Sequence, residues 1–425
     1  MVTLLLSVFG VLLVIGAPIW IGMVASAVAA IWSEGIPLTV VAQRVVAGVQ
    51  SFPLLAIPLF TLAGSLMNAS GISERLFSFT QAFVGHIRGG PAHTLVVGEI
   101  FLSGISGSSV ADTAAASRVF VPQMEKMGYP RAFGAALAAI AGTLGPIIPP
   151  SILMVVYAWQ ANVSLGKLFV AGIVPGLVMA GCIMITIAIL ARMRDFRPAG
   201  AFSLARLWVE FRKASLALFM PVLIIVGFRA GLFTATEIAG VACAYSLVVG
   251  MFIYRNIRLR DLPPILVQTA RETAVILAIV AAAAPFSWIL AVGQAPQLVT
   301  AAMTSISTDP LVVMLILNIL LLIAGMFMET LGIMIILVPI LVPQLTALHI
   351  DLVHFGVVLL VNLVIGQVHP PIGVLCFVSM AITRVQLWPL FKEIWPFLIA
   401  LLVALGIIAY VPALSLWLPA VAGFS

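Results

Sequence analysis

Apolar runs cover most of the chain, at roughly 3–32, 52–68, 92–110, 132–158, 167–191, 215–230, 234–254, 273–293, 310–326, 331–347, 353–366, 373–382 and 394–419. The longer runs are unbroken by polar residues, and they predict helices that cross a bilayer, for which about 20 apolar residues are needed. No alternation of apolar and polar residues over ~10-residue stretches marks a β-barrel. Several runs are shorter than a full span and end in Gly or Pro. These predict re-entrant hairpins and discontinuous helices, which persist at membrane depth only where protein buries the open backbone. The expected fold is an all-α polytopic membrane protein.

Composition sharpens this reading. Of 425 residues, 63% are hydrophobic and 8% are charged, with a mean hydropathy of +1.26. A soluble domain carries about 25% charged residues. So apolar a chain has too little polar surface for water, and lipid is its natural solvent. The three cysteines, Cys182, Cys243 and Cys376, sit singly inside apolar stretches and read as packing residues. The first apolar stretch has no basic segment before it and no cleavage site, so it reads as a retained helix.

The formal net charge of +6 points to loop topology, not to nucleic acid. Basic residues cluster at Arg192, Arg194, Arg197, Arg206, Arg212 and Lys213, and again at Arg255, Arg258, Arg260 and Arg271. Two spans separate the clusters, which puts both on one side, the cytoplasmic side by the positive-inside rule. The turn from Arg229 to Thr234 then faces out. Between Asp195 and Lys213 aromatic and apolar residues interleave with charges. That stretch reads as an interfacial amphipathic helix started near Pro198 and Gly200, or as a plain linker.

An internal repeat runs through the chain. Gly104 precedes Gly145, which opens Gly-Pro-Ile-Ile-Pro-Pro at 145–150. At the same interval Gly325 precedes Gly366, which opens Gly-Gln-Val-His-Pro-Pro at 366–371. Both glycines and both proline pairs share a single shift, which also places Val121-Pro122-Gln123 on Val342-Pro343-Gln344. Such repeats mark transporters built as two inverted halves, with sites where broken helices of both halves meet. The halves are placed at 1–210 and 211–425, with hairpins at about 90–127 and 310–347 and broken helices at about 132–158 and 353–382. Proline lacks an N–H and clashes with the carbonyl four residues back, so neither Gly-x-x-x-Pro-Pro segment can stay helical. The carbonyls around Gly145–Ile148 and Gly366–His369 are expected to be free. Free carbonyls in a dry site suit a hard cation such as sodium, and nearby helix N-termini suit a carboxylate.

Ionisable residues inside spans are functional candidates, and here they are Glu99, Asp112, Glu237, Glu272 and Glu329. Asp112 follows Ser106, Ser108 and Ser109, a run of hydroxyls, carboxylate and flexible backbone that reads as a cation-binding hairpin tip. Glu329 sits in the matching hairpin, either to neutralise a cation or to cap a half-helix. Glu99 and Glu272 are placed near span ends, in solvent, and Glu237 as a local cap after Thr234. The five histidines show no metal-ligand spacing. His369, inside the second break, is either a packing residue or a neighbour of substrate or ion that can change charge near neutral pH.

At this point the chain resembles the large membrane subunit of tripartite ATP-independent periplasmic (TRAP) transporters. The resemblance spans nearly the whole sequence. It rests on Pro58–Gly64 with Leu66-Met67-Asn68, Gly85-His86, Gly89-Gly90, Gly104-Ile-Ser-Gly-Ser-Ser109 with Ala111-Asp112, Gly128-Tyr129, Gly145–Ser151, Gly231–Glu237, His354–Val358 and Gly366–Gly373. It implies a bacterial inner-membrane subunit with no enzymatic activity and no cofactor. It would work with a small four-helix membrane subunit and a periplasmic substrate-binding protein to import an organic acid, such as a dicarboxylate or sialic acid, driven by sodium. It implies an elevator fold with two helical hairpins in the mobile domain. One sodium site is implied at Ser106, Asp112, Gly145 and Ile148, and another at Gly325, Gly366, His369 and Ile372, mostly through carbonyls. Substrate would lie between the hairpin tips, near Ser108, Ser109, Pro149, Pro150, Glu329 and Pro370. Two positions depart from the family pattern. His369 stands where Thr is usual, which removes a hydroxyl ligand and leaves a carbonyl to serve. Ala235 replaces a usual Pro in the Thr-x-Thr-Glu turn.

Other classes fit less well. A stand-alone ion-coupled organic-anion carrier of related fold would transport without a binding protein. A membrane enzyme lacks any Ser/His/Asp set, HExxH or paired carboxylates in this sequence, and a channel lacks a repeated pore-lining ring.

Overall fold

The computed structural model is helical, with no strand among the described residues. It describes all of the chain except Arg197, Ala199, Gly231, Leu232, Pro371, Ile372 and Ser425, and the side chains of Thr304 and Phe327. Among the described residues seven helices are long and apolar enough to cross a bilayer: Phe52–Ala69, Leu165–Met193, Leu204–Arg229, Ala235–Ile253, Leu259–Val292, Thr330–Ala347 and Leu387–Tyr410.

Three expected elements differ. The run at 3–32 is two helices, Val2–Val14 and Ile19–Ser33, packed against each other. Gly16 adopts a left-handed φ of 81° and Pro18 precedes the second helix, so the chain reverses between them. The run at 394–419 is likewise divided, into Leu387–Tyr410 and Ala413–Val421, with Pro412 at the break. The stretch Asp195–Lys213 is not a separate interfacial helix. Ser203 caps a helix that runs unbroken from Leu204 to Arg229, its hydroxyl accepting from the Arg206 N–H. Pro198 and Gly200 lie before it.

Five consecutive elements recur in the same order. Gly90–Ser106 and Ser109–Lys126 form a first hairpin, followed by the broken pair Arg131–Ala141 and Ile152–Ala161 and the long helix Leu165–Met193. Pro310–Phe327 and Thr330–Ala347 form a second hairpin, followed by Leu352–Gly366, Val374–Thr383 and Leu387–Tyr410. Corresponding elements start at 90 and 310, 109 and 330, 131 and 352, 152 and 374, and 165 and 387, so one shift aligns all five almost without slippage.

Corresponding elements exchange partners. Ser109–Lys126 packs on Val374–Thr383, and its counterpart Thr330–Ala347 packs on Ile152–Ala161. The Ser117 hydroxyl donates to Ser379 Oγ at 3.2 Å across the first contact, and Gln160 Nε2 donates to the Ile335 carbonyl at 3.1 Å across the second. Tyr157 adds a third crossing, its hydroxyl donating to the Leu352 carbonyl at 2.6 Å.

Close packing and hydrogen bonds hold such a bundle together, because lipid removes most of the hydrophobic drive between helices. Small residues let backbones approach. Arg131–Ala141 is rich in alanine and buried from Phe133 to Ala141. Polar side chains gather instead at one end. Tyr254 donates to the Lys213 carbonyl at 3.0 Å, the Arg75 guanidinium lies 3.8 Å over the Tyr254 ring, Arg206 reaches Gln81 at 3.1 Å, and Arg194 pairs with Glu393 at 2.7 Å. The Tyr254–Lys213 bond thus joins the end of the first basic cluster to the residue before Arg255, the first member of the second.

Candidate functional site

The first hairpin turns at Gly107 and Ser108. Gly107 takes a left-handed φ of 62°, ending one helix, and the Ser108 hydroxyl accepts from the Ala111 N–H at 3.4 Å, starting the next. Ser106, last residue of the first arm, donates its hydroxyl to Asp112 Oδ1 across this turn. Asp112 is 1% exposed, and its second oxygen, Oδ2, has no hydrogen-bond partner among the described residues. That oxygen faces the first helix break. A Cβ on Gly145 would stand 2.5 Å from Asp112 Oδ2 and 3.1 Å from the Ser108 carbonyl carbon and the Ser109 nitrogen. Only glycine fits between the break and the hairpin tip.

Gly145–Pro150 is open backbone. Ile148 N–H still reaches back to the Leu144 carbonyl at 3.0 Å, but no described residue donates to the carbonyls of 145–150. The segment closes at Ser151, whose hydroxyl accepts from Met154 N–H at 3.3 Å and caps Ile152–Ala161. A Cβ on Gly107 would lie 3.1 Å from Ser151 Cα, so the hairpin tip and this capped N-terminus touch. Ser106, Asp112, Gly145 and Ile148 thus form one buried group, with Ser109, Pro149 and Pro150 buried around it. Ser108 is the half-exposed member.

The second break is built differently. Gly366 lies against Gly325, and Gln367 Nε2 donates to Thr330 Oγ1 at 2.8 Å, tying the break to the second hairpin. One turn earlier Asn362 Nδ2 donates to the carbonyl and to Oδ1 of Asn318, both at 2.9 Å. Of the carbonyls expected to be free here, those of Gly366, Gln367 and Val368 are engaged, and no described residue donates to that of His369. Gly366 O accepts from His369 N at 3.2 Å, Gln367 O from Leu375 N at 3.1 Å, and Val368 O from Cys376 Sγ at 3.5 Å. The chain wraps back on itself at this break and satisfies most of its own backbone.

His369 Nδ1 contacts the Pro370 carbonyl at 2.5 Å, and its ring lies 6.4 Å from that of Trp395, edge to face. The imidazole is half-buried. Glu329 precedes Thr330–Ala347 at the N-cap but makes no side-chain cap bond, and it is exposed. Pro370, next to His369 in the break, is half-buried. Ile372 lies outside the described residues.

Two expectations about carboxylates resolve. Glu237 does cap its helix, in a box where Thr234 N–H donates to Glu237 Oε2 at 2.7 Å. Glu272 is exposed. Glu99 is not solvated: it is 0% exposed, and neither carboxylate oxygen has a partner among the described residues. Glu99 lies inside the helix Gly90–Ser106, away from its ends, and that helix packs against the second arm. Ser103 and Thr113, also fully buried, were missed because isolated hydroxyls in helices usually bond their own backbone. No group of three or more His, Cys, Asp and Glu suited to a metal ion occurs among the described residues.

Residues 6–414 match the family model described as the DctM component of the tripartite ATP-independent periplasmic transporter. The chain is 42% identical to a C4-dicarboxylate TRAP transporter large permease protein of Pseudomonas aeruginosa, over 88% of each chain. It is 36% identical to the sialic acid TRAP transporter large permease protein of Vibrio cholerae, over 97% of each. Its fold is similar to that of the YdaH transporter of Alcanivorax borkumensis, with a TM-score of 0.61 at 16% identity over 88% of each chain.

Proposed function

Because the chain belongs to the DctM component family of tripartite ATP-independent periplasmic transporters, we propose that it performs sodium-coupled import of a carboxylate. It is a multi-pass inner-membrane permease subunit and not an enzyme. Large permease subunits of this family work with a small membrane subunit and a periplasmic binding protein, and here the binding protein hands over the substrate. The two relatives described above are named for a C4-dicarboxylate and for sialic acid, both carboxylates.

The observation that carries the sodium reading is Asp112. A buried, ionised carboxylate needs a counter-charge in a low-dielectric interior. Its free oxygen faces a backbone segment whose carbonyls have no donor among the described residues. Sodium held by Ser106, Asp112, Gly145 and Ile148 answers both needs. A second sodium is assigned to Gly325, Gly366, His369 and Ile372, with His369 serving through its backbone.

Substrate binds between the hairpin tips, by Ser108, Ser109, Pro149, Pro150, Glu329 and Pro370. The two N-termini capped by Ser108 and Ser151 carry partial positive charge and favour a carboxylate. The halves 1–210 and 211–425 are inverted repeats with re-entrant hairpins, the basic end faces the cytoplasm, and the hairpins travel across the membrane as an elevator. Sodium drives this by binding the substrate-competent state more tightly, since equal affinity for both states shifts nothing.

The test is uptake of radiolabelled dicarboxylate or sialic acid into vesicles reconstituted with all three components. Uptake that needs an inward sodium gradient supports the reading. Uptake indifferent to sodium sinks the coupling.

A further inference from the structure

Four buried polar side chains lie on the two arms of the first hairpin, below its tip. Glu99 and Ser103 share one face of the first arm, one turn from each other, with Ser106 on the same face nearer the tip. Asp112 faces them from the second arm, with Thr113 next to it in the chain. Glu99 and Asp112 are close enough to act on each other electrostatically, and the Ser103 hydroxyl faces the Asp112 carboxyl group. Thr113 lies against Gly142, just before the open backbone at Gly145.

Protein satisfies these groups only in part, Asp112 Oδ1 accepting from Ser106. Both Glu99 oxygens, Ser103 Oγ, Thr113 Oγ1 and Asp112 Oδ2 have no hydrogen-bond partner among the described residues, and the four residues are at most 1% exposed. No Lys, Arg or His pairs with Glu99 or Asp112 in any ion pair among the described residues. Native interiors rarely leave one such group bare, and a cluster of five bare oxygens from four side chains needs an occupant. Two carboxylates side by side without a cation would also repel each other strongly.

We infer that Glu99, Ser103, Asp112 and Thr113 form an interior site for a monovalent hard cation, sodium being the occupant, separate from the tip site that Ser106, Gly145 and Ile148 complete. The ligand chemistry is all oxygen, anionic and hydroxyl, which suits an alkali cation and not a soft metal. Asp112 is shared: Oδ1 accepts from the Ser106 hydroxyl, and Oδ2, which faces Gly145, bridges the tip cation and the interior one. The first hairpin then holds two cations for two carboxylates. This rests on the sodium reading given above and extends it.

Equilibrium binding of 22Na+ to the full chain, purified in lipid nanodiscs with any membrane subunit that accompanies it, tests the inference. Glu99→Gln keeps the shape and removes the charge. It is expected to lower the bound sodium by one per chain, and Glu99→Asp to retain it with weaker affinity. Thermal unfolding with and without sodium serves as the folding control, because a folded Glu99→Gln protein still gains stability from its remaining sites. An unchanged sodium count in folded Glu99→Gln overturns the inference, and Glu99 is then held neutral by a proton. A wild-type chain that binds no sodium fails the sodium reading as a whole, which this experiment separates from failure of the interior site alone.

Discussion

Gly366 meets Gly325 backbone to backbone: a Cβ on Gly366 would stand 2.7 Å from the Cα, the carbonyl carbon and the oxygen of Gly325. The relation is not symmetrical. A Cβ on Gly325 would find its nearest atom, Gly366 Cα, at 3.3 Å.

The asymmetry gives the first prediction. Gly366→Ala forces helix backbones apart and should lower stability by about 1–3 kcal/mol, with loss of uptake. Gly325→Ala should be near neutral, because a small shift relieves its contact and alanine gains about 1 kcal/mol of helix propensity over glycine. Thermal unfolding of the purified variants measures both. Equal melting temperatures would mean that the contact does not govern the second break. The larger Gly366→Leu change would strike folding as well as transport.

At the first site, Ser106→Ala removes a hydroxyl that donates to Asp112. A hydrogen bond to a charged group is worth about 1.5–3 kcal/mol. The sodium concentration for half-maximal uptake should therefore rise by roughly 10- to 150-fold. Asp112→Asn should abolish sodium-dependent uptake while the protein still inserts and purifies. Vesicle uptake against sodium concentration decides; sodium dependence unchanged in Asp112→Asn would remove this carboxylate from the site.

His369→Thr restores the hydroxyl usual in the family. In this chain the imidazole is engaged with its neighbour's carbonyl and lies near Trp395, so its loss should alter sodium affinity by less than about 3-fold, or ~0.7 kcal/mol. A tenfold change in either direction would place the side chain itself among the ligands.

Tyr157 binds the halves to each other through its hydroxyl, 2.6 Å from the Leu352 carbonyl. Tyr157→Phe should cost about 1 kcal/mol. Gly356→Ala should cost more, because its Cβ would meet the Tyr157 ring, with Cδ1 and Cζ each 2.8 Å away and no room for the ring to leave. Chemical denaturation or melting of both variants gives the order; the reverse order would show that the ring yields easily.

The two breaks and the two hairpins were legible because proline, glycine and one shared shift along the chain announce them locally. The grouping of Gly145 with Ser106 and Asp112 came from the family resemblance and not from the shift; a Cβ on Gly145 would stand 2.5 Å from Asp112 Oδ2. Helices rich in polar residues escaped notice. Ile72–Val84 carries Ser73, Glu74, Arg75 and Gln81 and is too polar to stand out as an apolar run, yet it packs against the first hairpin along Leu76, Phe79 and Ala82. The satisfied carbonyls of the second break depend on Leu375 and Cys376 folding back, a tertiary outcome that no spacing encodes. The burial of Glu99 is another, since it is decided by what the second arm brings against it.

The exchange of partners between Ser109–Lys126 with Val374–Thr383 and Thr330–Ala347 with Ile152–Ala161 bears on biogenesis. Each hairpin borrows one wall from the opposite half of the polypeptide. During synthesis the first hairpin must wait, incompletely enclosed, until the whole stretch from Lys126 to Val374, more than half of the chain, has been inserted. A chain severed in the loop before Ser203 should yield two fragments that are each degraded when made alone and rescued when made together, so that the membrane assembles this subunit much as it would a dimer.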